Sequence, residues 1–354
     1  MKKRLVAILA VGLVAVSLFA AVSFGGTATV GYKFTFDGSE KGIYDENGTD
    51  AGYYPVNASL SATTDYAKIS FRAVETDGED IPQMSLNDFD VQAQLTVYLS
   101  KALADAGVEL PVALTAYAGN AQVSGFYAYA DPSSTVDDNY DGFRSANHSR
   151  NDYPLALDIG YQSIVTVRAQ YDFFNSTDGV LLSAKSTPME GVDVALSFAN
   201  NPTELNHDAV SADYGLNASA KVDISSIADL DFDLAASVFG LIGIGEDYDA
   251  ANNLYLAAIT GGYEDIGAYV EYAYNDYDNC VEYKHSLGFG ASYSGFDQLG
   301  LSAGFTFKDL SDVESSTLGY YLRADYTLGG VTYTAKFCDI ESKPGMKLQM
   351  SLDF

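Results

Sequence analysis

The chain has 354 residues and a formal net charge of −29, and it is rich in aromatics, with 27 Tyr and 19 Phe but no Trp. Such acidity excludes a nucleic-acid partner, because little here would neutralise phosphates. Two cysteines, Cys280 and Cys338, exclude a disulfide scaffold in a chain of this length.

The first residues, MKKRLVAILAVGLVAVSLFAAVSFGG, join a basic start (Lys2, Lys3, Arg4) to an apolar run from Leu5 to about Val22. Ala21-Val22-Ser23 then places small residues for a cut ahead of Phe24. Residues 1–23 therefore read as a cleaved secretory signal peptide, and 24–354 as one unit without linker or low-complexity tract. Without Lys2, Lys3 and Arg4 the charge becomes −32. No later apolar run reaches the length of about 18 residues that a membrane-spanning helix needs.

The stretch TATVGYKFTF sets Ala28, Val30, Tyr32, Phe34 and Phe36 against Thr29, Gly31, Lys33 and Thr35. Strict alternation marks a strand with one apolar and one polar face. Asp45-Glu46-Asn47-Gly48-Thr49-Asp50 gathers acids about a turn glycine but lacks the full ligand series of a calcium loop, so it reads as an acidic loop. KALADAG predicts a short helix, and ELPVALTAYAGNAQVSGFYAYAD predicts one long strand. A long acidic connection follows, Asp131–Asn151.

Alternation resumes in VTVRAQYDF, with Val165, Val167, Ala169 and Tyr171 opposed to Thr166, Arg168, Gln170 and Asp172. It recurs in LGLSAGFTFK, GYYLRADYTL, GVTYTAKFC and the terminal MKLQMSLDF. In that last run Met346, Leu348, Met350, Leu352 and Phe354 alternate with Lys347, Gln349, Ser351 and Asp353. The runs are about ten residues long, the length of a tilted strand that crosses a bilayer. Short connections (TLGG, GFDQ, GYED) alternate with longer acidic ones (CDIESKPG, DLSDVESST, NDYDNC, GEDYDAANN). This asymmetry and the even strand count predict an all-β fold, a transmembrane antiparallel β-barrel of about 16–18 strands. Polar residues then face a wet lumen and apolar ones face lipid.

With the signal peptide, the repeated alternation and the terminal Phe354, the chain resembles a bacterial outer-membrane porin of the general diffusion type. The resemblance spans the mature chain in architecture and rests on MKLQMSLDF as a motif. It implies an outer-membrane location, a passive channel for small hydrophilic solutes and ions, a homotrimer and no cofactor. It also implies that Met350, Leu352 and Phe354 form the signal read by the outer-membrane assembly machinery. Both termini would lie on the periplasmic side, with the loop at Glu341–Gly345 outside.

In general porins the third external loop folds into the barrel. Here that loop is Asp131–Asn151, with Asp137, Asp138, Asp141 and Arg144 as candidate constriction residues. A solvated external loop is the plainer alternative. A charge facing lipid costs about 2–4 kcal/mol at the midplane, so strand charges turn inward. Lys33, Lys68, Arg72, Arg168, Lys308, Arg323, Asp325 and Lys336 are the candidate pore-lining residues, and Lys284 and Lys347 share their parity. Many of these bases come from the first and last strands, which become neighbours when a barrel closes. No histidine pairs with a Ser or Asp in hydrolase fashion, and no metal-ligand cluster or phosphate loop is present, so no enzyme is expected. The rival reading is a structural or adhesive outer-membrane barrel acting through its acidic surface loops.

Overall fold

Alternating sequences give a strand two unlike faces, and a sheet made of such strands must hide one face from its surroundings. The computed structural model describes residues 21–39, 41–44, 56–75, 89–119, 126, 128–129, 155–172, 179–200, 214–244, 254–275, 285–307, 310, 318–340 and 343–353. β1 (Ala21–Thr35) is followed by β2 (Lys41–Tyr44), β3 (Val56–Thr63), β4 (Ala67–Glu75) and β5 (Phe89–Tyr98). Helix α1 (Leu99–Asp105), where KALADAG predicted one, leads to β6 (Ala113–Gly119). Next come β7 (Leu155–Tyr161), β8 (Val165–Asp172), β9 (Gly179–Met189), β10 (Val192–Ala199) and β11 (Tyr214–Asp223). After the short helix α2 (Ile224–Ala228), the strands are β12 (Asp233–Ile244), β13 (Leu254–Tyr263), β14 (Ile266–Asn275) and β15 (His285–Phe296). The last four are β16 (Leu299–Phe307), β17 (Leu318–Leu328), β18 (Val331–Ile340) and β19 (Lys343–Asp353).

Apart from β2 and β3, which both pair with β1, each strand pairs antiparallel with its chain neighbour, and β1 closes on β19 from Thr27↔Asp353 to Thr35↔Gly345. β2 and β3 lie end to end along β1, with Gly31↔Tyr44 and Ala28↔Val56, so the 19 strands occupy the positions of a closed 18-strand barrel. The chain is therefore an all-β antiparallel barrel with an even count, as its alternation predicts.

One end carries tight connections. Gly329 (φ 62°) and Gly330 (φ 83°) form a two-residue turn between β17 and β18, since positive φ at both centres matches the right-handed twist of the strands. Gln162 (φ 48°) and Ser163 (φ 59°) also have positive φ in the three-residue connection between β7 and β8, where the Ile164 N–H donates to the Tyr161 carbonyl at 2.9 Å. The start of β1, the end of β19 and both helices lie at this end. The strand ends that flank the longer intervals, such as Gly119 and Leu155, lie at the other.

The apolar face is the outer one. On β19 Leu348 is 43% exposed and Met350 42%, whereas Lys347 between the strands is 2% exposed. Exposed aromatics gather toward the rims, with Tyr161, Tyr263, Tyr293 and Tyr326 near the tight turns and Phe36, Tyr171, Tyr214 and Phe307 near the long loops. Amphipathic rings at both interfaces of a lipid belt produce this distribution.

The expected long strand across 109–131 is corrected. β6 ends at Gly119, and Phe126, Ala128 and Tyr129 belong to no strand. Gly119 has φ +146°, and a side chain there would collide with the Ala93 carbonyl, so glycine is required where the chain leaves the wall.

Candidate functional site: the barrel interior

Cross-strand partners share a face, so register alone shows which side chains line the interior. Lys33 of β1 stands opposite Lys347 of β19, Lys347 opposite Lys336 of β18, and Lys336 opposite Arg323 of β17. Four basic residues on four adjacent strands thus form one rung. Lys33 and Lys336 are 6% exposed. Arg323 Nε donates to both carboxylate oxygens of Asp325, at 2.8 and 3.0 Å, and Asp325 also accepts from Thr334 Oγ1 at 2.5 Å. Lys336 Nζ stands 5.8 Å from the centre of the Tyr321 ring, a cation–π contact.

The other expected lining residues sit elsewhere on the inner face. Lys68 is opposite Thr63 and Thr96, and Arg72 is opposite Ser59 and Gln92. Arg168 faces inward but is a fastened group: its Nε and Nη2 donate to the two oxygens of Asp158 at 2.6 and 2.7 Å. Tyr117 Oη donates to the same carboxylate at 3.1 Å. Lys308, Lys284, the loop residues Asp137, Asp138, Asp141 and Arg144, and Phe354 lie outside the described residues. Met350 and Leu352 are on the exposed outer face of β19. Cys338 faces inward and is fully buried, while Cys280 lies outside the described residues. His285 keeps its outward parity, its Nδ1 hydrogen-bonded at 2.6 Å to the Tyr272 hydroxyl.

A second inner feature has no warning in the alternation. Leu181, Phe239, Leu241, Leu254 and Leu256 are buried together, and they face inward, because Leu241↔Leu254 and Phe239↔Leu256 continue the rows of Asn217 and Ser219. The expectation of a uniformly polar inner face is corrected here. Stretches such as SVFGLIGI and LYLAAI are apolar on both faces, so period 2 fades where the inside is also a packing surface.

What packs there is the segment that departs after β6. The Tyr129 ring lies against Phe239, centroids 6.2 Å apart, and its hydroxyl donates to the buried Glu271 of β14. The Ala128 N–H donates to Ser219 Oγ at 2.9 Å. Phe126 lies under two cations, Arg168 at 4.4 Å and Lys185 at 4.9 Å from its centroid. Residues contacting β8, β9, β11, β12 and β14 at once can do so only from within the barrel. The start of the third long connection is therefore pinned to the inner wall at Phe126–Tyr129, a few residues ahead of the expected Asp131–Asn151.

Tyrosines cover another part of the wall. Tyr269↔Gly290, Gly290↔Gly304 and Gly304↔Tyr321 form one row, and side chains at either glycine would collide with the tyrosine rings. The glycines let both rings lie flat against the sheet.

No family model matches the chain, and no curated protein does. Solved structures do. One variant of a porin from Rh. blastica superposes with a TM-score of 0.56 at 13% identity, covering 94% of this chain and 100% of that one. The chain has the porin fold. A second variant of the same porin gives 0.55 at 12% identity, and a triple mutant of Rhodopseudomonas blastica porin gives 0.53 at 14%, with the same coverage. At such identity the likeness is one of fold.

Proposed function

We propose that the chain is an outer-membrane porin, a water-filled channel for passive diffusion of small hydrophilic solutes and ions. The observation that carries this reading is the opposition of the two faces of a closed wall. Outside, apolar side chains from Leu348 to Val238 are exposed. Inside stand Lys33, Lys336, Lys347, Arg323, Asp325, Asn217 and Ser197. A soluble protein would need the reverse, and a barrel without a conducting lumen would need no such row of charges. Lys33, Lys68, Arg72, Lys308, Arg323, Asp325 and Lys336 line the pore, and Asp137, Asp138, Asp141 and Arg144 belong to the loop that narrows it. Residues 1–23 are removed on export, the assembly machinery reads the strand ending at Phe354, and three copies associate in the outer membrane. No catalytic step is assigned.

Single-channel recording of the detergent-folded barrel in a planar bilayer tests the reading. Discrete, ohmic steps in KCl are expected. A correctly folded, heat-modifiable barrel that conducts nothing would overturn the channel and favour the structural or adhesive barrel.

A further inference from the structure

We propose that the rung Lys33–Lys347–Lys336 is a binding site for small oxyanions of the phosphate and carboxylate type, which makes the pore select anions despite the acidity of the chain. The inference rests on the channel reading for its transport role, though not for the site itself.

Parity explains why each lysine turns inward, but it does not explain register. Inward positions recur at every second residue of each strand, so lysines placed only to escape lipid would fall at scattered heights. Here three fall on directly opposed positions, Lys33↔Lys347 and Lys347↔Lys336, and Arg323 extends the line. Directly opposed side chains have Cβ atoms about 5 Å apart, and like charges so placed oppose pairing of the strands. The arrangement works against stability at the seam where β1 closes on β19, as a binding function requires and a folding function does not.

The surroundings sharpen the chemistry. Asp325, the carboxylate one step along the strand from Arg323, is already engaged by Arg323 and Thr334. Glu271, on the same inner face, accepts from Tyr129. The lysines are 2–6% exposed, and Lys336 also lies against the Tyr321 ring, so they are packed side chains rather than waving ones. Water screens such groups poorly, which strengthens their hold on an anion. Ammonium groups carried by directly opposed residues can each donate to a different oxygen of one phosphate or carboxylate. Lysine suits a transit site because it binds phosphate as a point charge without the bidentate lock of arginine.

The test uses the full-length mature barrel folded in detergent, with inorganic phosphate as probe. Equilibrium dialysis should show saturable phosphate binding that Lys336→Gln/Lys347→Gln weakens by about tenfold or more. Lys347→Arg, which keeps the charge, should retain it, and Lys221→Gln, a lysine near the tight-turn rim, should leave it unchanged. In bilayers phosphate should block chloride current, and the double variant should shift the reversal potential toward cations. That shift should shrink as the screening length falls from ~10 Å at 0.1 M salt to ~3 Å at 1 M. Wild-type barrel that conducts but binds no phosphate, or binding equal in wild type and heat-modifiable double variant, would overturn the site. Binding without conductance would uphold the site and overturn the channel.

Discussion

Arg168 was legible in the sequence as an inward base, but its partners were not. Its guanidinium meets Asp158 in a bidentate pair, 5% and 13% exposed, and also faces the rings of Phe126 and Tyr117 at 4.4 and 5.4 Å. The pair was readable only through register, since Asp158 and Arg168 sit opposite each other on β7 and β8. Removing one member of a buried, hydrogen-bonded pair strands the other charge, at a cost of about 3–5 kcal/mol. Arg168→Met should therefore lower the denaturant midpoint of the folded barrel sharply, while Arg168→Met with Asp158→Leu should recover most of the loss. Equal midpoints for the single variant and wild type would show that the pair contributes nothing. Lysine does not substitute here, because it lacks the planar fork and the stacking face. Arg323 shows the same lesson in milder form: its charge is shared with Asp325, so the neighbouring lysines carry more of the field than the arginine does.

At the scale of elements, the turn after β1 shows how small residues fix a connection. Asp37 accepts from Ser39 Oγ at 2.6 Å, from the Ser39 N–H at 3.0 Å and from Thr35 Oγ1 at 2.8 Å, and Lys343 at the start of β19 stands 3.5 Å away. These bonds, the one from the Ser39 hydroxyl above all, hold its carboxyl well below the usual carboxylate range. A depressed folded value means stability present above the ordinary carboxylate pKa of about 4 and lost as pH falls through the lower folded value. The stability gap between wild type and Asp37→Asn should thus close as pH drops from 7 toward 2, followed by thermal unfolding; a gap independent of pH would exclude the ionised carboxylate as its source. Strands such as β16 to β19 were readable because one face meets lipid and the other is largely polar. β12 and β13 were not, because their inner face receives Tyr129 and so is apolar too. The end of β6 at Gly119 was missed for a related reason: the residues that follow include Phe126 and Tyr129, apolar side chains that serve docking rather than spanning. If Phe126 and Tyr129 pin that segment, Phe126→Ser/Tyr129→Ser should release it and raise single-channel conductance. Unchanged conductance would mean the pinned segment lies clear of the narrowest section.

The whole molecule depends on one seam and two solvents. β19 pairs with β18 over its full length and with β1 through Thr35↔Gly345, so the final strand closes the wall and meets both neighbours with identical parity. Leu348 lies at the middle of that strand with Tyr32 and Ala335 opposite, all facing outward. Gln349, one residue on, faces the interior. The two positions differ by a single step in sequence but by a change of solvent. Leu348→Lys places a charge in lipid near the midplane and should cost about 2–4 kcal/mol, enough to deplete folded barrel wherever total stability is modest. Gln349→Lys adds the same charge to the wet side and should fold normally. Deleting Phe354 tests the proposed assembly signal in the same assay: insertion should fall while secretion continues. Heat-modifiable barrel in outer-membrane fractions reads all three. Equal yields for Leu348→Lys and Gln349→Lys would mean that the outer face of β19 does not meet lipid, for instance because it is covered by a second copy of the chain, and would move the association surface to the closing seam.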